Sequence, residues 1–333
     1  MIGWRPHTTS TNTASTRLRC VLPMRYLASA GTPGEFADQS QPGRYSVLVA
    51  EKAYSEADLD LATRARASGA AVVFDLCDNH FLPRDEDRKD PARRERLARM
   101  LSLADVVTTC SDELARRIDH PRVLVVDDTL EDWSAVKPPG PITHFRNFRA
   151  RMQRGARLVW FGAGGRIDPP FGLVDLERIR PELDTLHKRL PIVLDVITDS
   201  RDRAQETLRG AQFPWRFVRW RLDTFPHMLA RAEIALLPVK IHEFTVGKSA
   251  NRVLTALALG VPVVADPLAS YRPLERFVRF GCTADTIEAY WRDEAARERD
   301  VEAARAHLKL EWGPERAVRQ WSQAFTEARR ARG

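Results

Sequence analysis

The chain has 333 residues, 44% hydrophobic and 29% charged, with 52 lysines and arginines against 45 aspartates and glutamates, a net charge of +7. That is the composition of a globular protein large enough for two domains; no apolar run approaches the roughly 18 residues that span a bilayer. Four cysteines scattered singly exclude a disulfide framework and a paired-cysteine zinc site, and basic charge spread over helices without interleaved aromatics argues against nucleic acid.

Residues 1–16, MIGWRPHTTSTNTAST, lack the apolar core of a secretory signal and are expected to form a disordered leader, which points to a cytoplasmic protein. Arg17 to Pro23 (RLRCVLP) reads as a first strand and Ser46 to Ala50 (SVLVA) as a second. A helix is predicted from about Ser55 to Ser68, ended by Gly69, before a third strand, Ala71 to Leu76, rich in β-branched and aromatic residues. Asp85 to Leu103 is helical by spacing, Val106 to Thr109 a fourth strand, and Ser111 and Asp112 are placed to cap the helix that follows. Arg122 to Val126 is a fifth strand. Strand–helix alternation of this kind specifies an open parallel sheet, so residues 17–140 read as one α/β domain. Cys20, Cys77 and Cys110 lie in or beside its strands and are expected to be buried, inert thiols.

A proline-rich, then basic, stretch breaks the rhythm, and 141–156 is taken as a linker. The pattern restarts at Arg157 to Phe161, with helix Leu173 to Lys188, strand Ile192 to Ile197, a helix near Arg203 to Leu208, strand Trp215 to Val218 and helix Phe225 to Ala232. Residues 157–313 therefore form a second doubly wound α/β domain, and a final helix, 314–333, follows its last strand. The most informative segment lies inside this second half. Ile234 to Pro238 is an apolar strand; a polar loop carries Lys240, His242, Glu243 and Lys248; a helix runs from about Ser249 to Leu259, stops at Gly260, and yields to the strand Val261 to Ala265. In such βαβ units ligands gather at the carboxyl ends of strands, where helix N–H groups face an anion. Lys248, Ser249, Asn251 and Arg252 at that end suit a phosphorylated ligand, against the plainer alternative of a solvated helix start.

From Ala235 to Ala265 this pattern resembles the donor-binding half of GT-B glycosyltransferases, especially the retaining family that includes bacterial surface-polysaccharide enzymes. The resemblance implies two Rossmann-like parallel-sheet domains facing a cleft, the second binding a nucleotide sugar and the first an acceptor. It implies sugar transfer to an acceptor hydroxyl with no metal or other cofactor, and a final helix crossing back to the first domain. The acceptor would be a carbohydrate or a lipid-linked molecule, and the basic charge would suit peripheral contact with an acidic membrane surface. The family's Glu-x7-Glu signature is absent: Gly247 and Thr255 stand at its two positions, which opens the ribose contact to Asn251 or Glu243 and leaves a non-catalytic binding or scaffold protein as the competing class.

Other candidates follow from the same resemblance. Gly162, Gly164 and Gly165 after the Arg157 to Phe161 strand look like the glycine turn that opens the donor domain. A dinucleotide fingerprint would need glycine where Ile167 stands, so a nicotinamide enzyme fails its own motif. Trp220, in the loop after a strand, is a candidate to stack on the base. Asp78 and His80 end the third strand on the expected acceptor side; either is a candidate base for an inverting reaction, with Lys248 on the leaving diphosphate. Arg25 with Tyr26, and Glu51 with Lys52, also stand at expected strand ends, where ordinary surface charge is the default.

Overall fold

The structure is a computed structural model that describes residues 1–83, 86–133, 155–166 and 169–333. It divides into two compact units: Met1–Glu131 with Val246–Ser249 and Glu311–Gly333, and Asp132–Thr245 with Ala250–Leu310. Each holds a six-stranded sheet whose pairings are all parallel. Of the linker expected over 141–156, only Gly155 and Ala156 are among the described residues.

In the first unit the strands are β1 (Ile2–Pro6), β2 (Gly34–Phe36), β3 (Val47–Glu51), β4 (Ala71–Leu76), β5 (Val106–Thr109) and β6 (Val123–Val125), in the spatial order β2-β1-β3-β4-β5-β6. The expected leader is thus partly wrong: β1 lies inside the sheet, with Ile2 and Trp4 buried and paired to Val47 and Val49. Its sequence hides it because Gly3 and Pro6 read as loop. Gly3 is needed there, since a Cβ would stand 2.7 Å from the Tyr45 ring. The strand expected at Arg17 to Pro23 is also corrected. These residues are helical, through a widened turn Arg17–Val21 that continues into the helix Leu22–Ser29, which contains Arg25 and Tyr26. Alternating polar and apolar residues imitated a strand, but Arg17 to Cys20 are all buried together because charged partners meet the arginines inside.

Arg19 is that partner-dependent residue. Its fully buried guanidinium grips Asp75, through Nε to Oδ2 at 3.0 Å and Nη2 to Oδ1, and also bonds the Val126 carbonyl. Asp75 takes a further hydrogen bond from Thr108 Oγ1 at 2.6 Å. Around this knot, alternate residues of β4 supply opposite faces. Val72, Phe74 and Leu76 pack with Leu59 and Met100 from helices α2 (Glu56–Ala67) and α3 (Arg93–Leu103). Ala71 and Val73 pack with Trp4 and with Trp321 and Phe325 of the last helix, α11 (Pro314–Arg332). Trp4 and Trp321 meet edge to face, 4.8 Å between centroids.

In the second unit β7 (Ala156–Phe161), β10 (Ile192–Thr198), β11 (Trp215–Arg219), β12 (Ile234–Leu237), β13 (Val263–Ala265) and β14 (Val278–Phe280) lie in the order β11-β10-β7-β12-β13-β14. A hairpin of β8 (Gly165–Arg166) and β9 (Phe171–Gly172) follows β7. Helix α5 (Leu173–Arg189) buries Leu176, Ile179 and Leu183 against Leu158, Trp160 and Leu194 of the sheet. Helix α8 (Asn251–Ala258) ends as its sequence requires: Gly260 takes φ +81° and its N–H reaches the Leu257 carbonyl, while Val261 N–H reaches Ala256. No helix among the described residues is long and apolar enough to cross a membrane. Cys20, Cys110 and Cys282 are buried and Cys77 half-buried, all as free thiols, and burial pushes each thiol well above its ordinary range.

Replacing Asp75 by alanine would strand the buried Arg19 charge. The first unit should lose about 3–5 kcal/mol of stability, read as a drop in its urea midpoint. A change under about 1 kcal/mol would show that the pair contributes little beyond a surface ion pair.

Candidate functional site

Open parallel sheets bind ligands where the strand order reverses, at the carboxyl ends of the strands. In the second unit this point lies between β7 and β12. Gly162 follows β7, and a Cβ there would be 3.6 Å from Nη1 of Arg252 in the first turn of α8. Arg252 hydrogen-bonds the buried Tyr271 hydroxyl and lies near Asp175. Asp175 is only 3% exposed; burial pushes its carboxyl up, opposed by bonds from the backbone N–H groups of Lys240 at 2.8 Å and Gly172 at 3.0 Å. A guanidinium therefore stands at a glycine strand end, with its carboxylate neighbour already held by backbone. That arrangement leaves the cation suited to an anion.

The other expected residues of this unit are placed as follows. Gly164 N–H donates to Asp199 Oδ1 at 2.7 Å. Gly165 has φ +76°, and a Cβ would fall 1.9 Å from the Phe171 carbonyl oxygen, so the β8–β9 hairpin itself demands this glycine. Trp220 is half-buried against Phe225, which also meets Phe161 and Trp133. Glu243 is exposed in a turn closed by Thr245, whose hydroxyl donates to the Lys240 carbonyl at 2.5 Å and accepts from His242 N–H at 3.0 Å. Thr255 is buried, and its hydroxyl donates to Asn251 Oδ1 at 3.1 Å, so these two candidates are brought together.

Lys248 and Ser249 lie before the helix, which begins at Asn251 rather than Ser249, and their segment belongs to the first unit. Gly247 accepts from Ser111 Oγ at 2.8 Å, a Cβ on it would press Leu114 at 3.2 Å, and Ser249 Oγ donates to Asp128 Oδ2 at 2.6 Å. Lys248 Nζ donates to Asp78 Oδ1 at 2.5 Å, and Lys52 Nζ is 3.5 Å from the other oxygen. Burial alone would raise the Asp78 carboxyl, but Lys248 and then Lys52 outweigh it and hold the group well below the usual carboxylate range. A carboxylate held so low accepts protons poorly. His80 is buried, with Nδ1 2.9 Å from the Tyr54 hydroxyl and its carbonyl accepting from Arg93 Nη1 at 2.9 Å. Of the three expected catalytic residues, then, two form an ion pair and the third is packed beside Tyr54.

At the order reversal of the first sheet, between β1 and β3, stands a pair the sequence reading missed. His7 Nδ1 is 2.9 Å from Oε2 of the fully buried Glu51. The leader assignment concealed His7, although Glu51 and Lys52 at a strand end were visible signals. Among the described residues no three His, Cys, Asp or Glu side chains are grouped to hold a metal ion.

No protein-family model and no curated protein sequence matches the chain. Solved structures do. HepE of Anabaena, in complex with UDP-glucose, superposes with a TM-score of 0.70 at 12% identity, over 98% of this chain and 99% of that one. Trehalose 6-phosphate synthase of Burkholderia multivorans gives 0.56 at 13% identity, covering 96% and 83%. TarM of S. aureus gives 0.56 at 10%, covering 84% and 54%. The fold is that of the GT-B glycosyltransferases.

The Asp78 pair has a signed pH consequence. A carboxyl depressed in the folded state contributes stability that is present above its unfolded value, about 3.9, and lost as pH falls below it. Lys248→Ala should destabilise by about 1–3 kcal/mol at pH 7. The gap to wild type should begin to narrow by pH 3, where the unfolded carboxyl protonates and the wild-type group starts to lose its advantage. Equal gaps in urea titrations at both pH values would count against the pair.

Proposed function

We propose that the protein is a glycosyltransferase that moves a sugar from a nucleotide-sugar donor to an acceptor hydroxyl, in the synthesis of a bacterial polysaccharide or glycoconjugate. The donor is assigned to the second unit and the acceptor, a carbohydrate or lipid-linked molecule, to the first. The observation that carries this reading is Arg252 beside Gly162 at the order reversal of the second sheet, in a fold shared with a protein whose structure holds UDP-glucose. Arg252 and the first N–H groups of α8 meet the diphosphate, where charge-assisted bonds stabilise the leaving group. Trp220, in its aromatic cluster, offers a face to the base. Lys248 is assigned to Asp78 in place of the diphosphate contact. The activity is assigned to the cytoplasm, with peripheral membrane contact where the acceptor is lipid-linked.

One observation favours a second reading, a sugar-nucleotide-binding protein without transferase activity. Thr255 is buried against Asn251 at the position where the resembling family places its second glutamate.

Calorimetric titration with UDP, UDP-glucose and a panel of other nucleotide sugars tests the reading, followed by transfer assays with the donor bound. Arg252→Ala should weaken binding roughly tenfold to a hundredfold, the loss of one charge-assisted bond. Binding without transfer would select the second reading, and no binding by folded wild-type protein would remove both.

A further inference from the structure

The proposed donor site leaves one part of a nucleotide, the ribose, without a partner, and the order of the second sheet supplies one. Apart from the β8–β9 hairpin, the strands of this unit lie in the order third, second, first, fourth, fifth, sixth. In sheets of this order a diphosphate sits past the first strand, at the glycine turn, and an acidic residue further along the chain takes a ribose hydroxyl. Here the first strand is β7 and the second β10, and the residue that follows β10 is Asp199. Its side chain belongs to an exposed residue. The two places already assigned to a nucleotide flank it along the sheet edge. On one side Trp220 N–H donates to the Thr198 carbonyl at 2.9 Å, and on the other Gly162 N–H donates to the Ile197 carbonyl at 3.1 Å.

The Asp199 carboxylate is held at one oxygen and open at the other. Oδ1 accepts from Gly164 N–H at 2.7 Å and from the Thr198 hydroxyl at 3.1 Å. So close an approach needs the glycine, since a Cβ on Gly164 would stand 3.1 Å from the same oxygen. Arg203 fixes the next residue of the turn by donating to the Gly165 carbonyl. Among the described residues Oδ2 makes no hydrogen bond and no ion pair. Clamping the turn, the plainer role for this aspartate, uses Oδ1 alone.

We infer that Asp199 binds the ribose of the nucleotide donor, its Oδ2 accepting hydrogen bonds from the vicinal diol. This rests on the nucleotide-sugar reading of the second unit. A nucleotide runs from base to ribose to diphosphate. With the base at Trp220 beyond β11 and the diphosphate at Arg252 beyond β12, the ribose lies over the ends of β10 and β7, neighbouring strands about 4.8 Å apart. Asn251, Thr255 and Glu243 are poorer candidates. All three follow β12, on the far side of the order reversal from Trp220, and the Thr255 hydroxyl proton is spent on Asn251. A carboxylate also makes a charge-assisted bond to a hydroxyl, which a threonine cannot.

The test is calorimetry on the full chain with UDP, its dideoxyribose analogue and inorganic pyrophosphate; where the nucleotide-sugar panel selects another base, the analogues carry that base. Wild type should bind the dideoxy compound about tenfold to a hundredfold more weakly than UDP, the loss of a charge-assisted bond. Asp199→Asn keeps an oxygen for Gly164 N–H but puts an amide NH2 where Oδ2 stood, so it should bind UDP and the dideoxy analogue alike. Pyrophosphate has no ribose and should bind Asp199→Asn at least as tightly as wild type, because a negative charge beside the site is gone. A glycine turn merely loosened by the substitution would weaken it. Four results overturn the ribose assignment and leave the nucleotide reading standing: equal affinity of wild type for UDP and the dideoxy analogue, discrimination that survives in Asp199→Asn, discrimination lost in Thr255→Ala instead, or pyrophosphate affinity that falls together with that for UDP. Wild-type protein that binds no nucleoside diphosphate overturns the two together.

Discussion

The carboxyl edge of the first sheet depends on a single buried ion pair, Arg19 with Asp75. Removing both charges from water is costly, and the cost is offset by the partners that the pair itself finds: Thr108 on Asp75, and on Arg19 the Val126 carbonyl and, at 3.4 Å, Asp128. What it secures is position. Asp75 sits one residue before the end of β4; its carbonyl holds Lys52 in its left-handed turn, and three residues later Asp78 meets Lys52 and Lys248. Asp128, the outer member of the knot, accepts from Ser249. The segments that carry Asp78 and Ser249's partner Asp128 are thus tied together by one guanidinium that never reaches solvent.

The two sheets differ in how openly the sequence displays them. Strands such as Ala71–Leu76 and Val106–Thr109 are short apolar runs bounded by polar turns, and both faces of the sheet bury them, so composition alone delimits them. Strand β1 is a different kind of object. Its five residues include a glycine that yields space to Tyr45, an arginine paired to Asp58 and a terminal proline, so the apolar signal is reduced to Ile2 and Trp4. The helix around Arg19 is hidden for the converse reason, since a buried arginine looks like a surface residue until its partner, 56 positions away, is known.

The candidate site is legible to a similar degree. Arg252, Asn251 and Thr255 were visible because one short βαβ unit carries them. Gly165 was visible too, but a backbone carbonyl explains it without a ligand. Lys248 and Asp78 each stand out in the sequence but nothing there connects them, because a contact over 170 residues leaves no local trace. His7 was lost with the strand that carries it. A residue at a strand end can be placed only if the strand is found first.

The distribution of the thiols has an experimental use unrelated to chemistry at the site. Cys20 and Cys110 are sealed in the first unit and Cys282 in the second, each with its proton held tightly by burial. A thiol of that kind reacts with an aromatic disulfide reagent only while its surroundings are open. The chain therefore contains its own clocks, one set for each sheet. Their separate labelling rates give the opening free energy of either unit in the intact protein, without a single introduced probe.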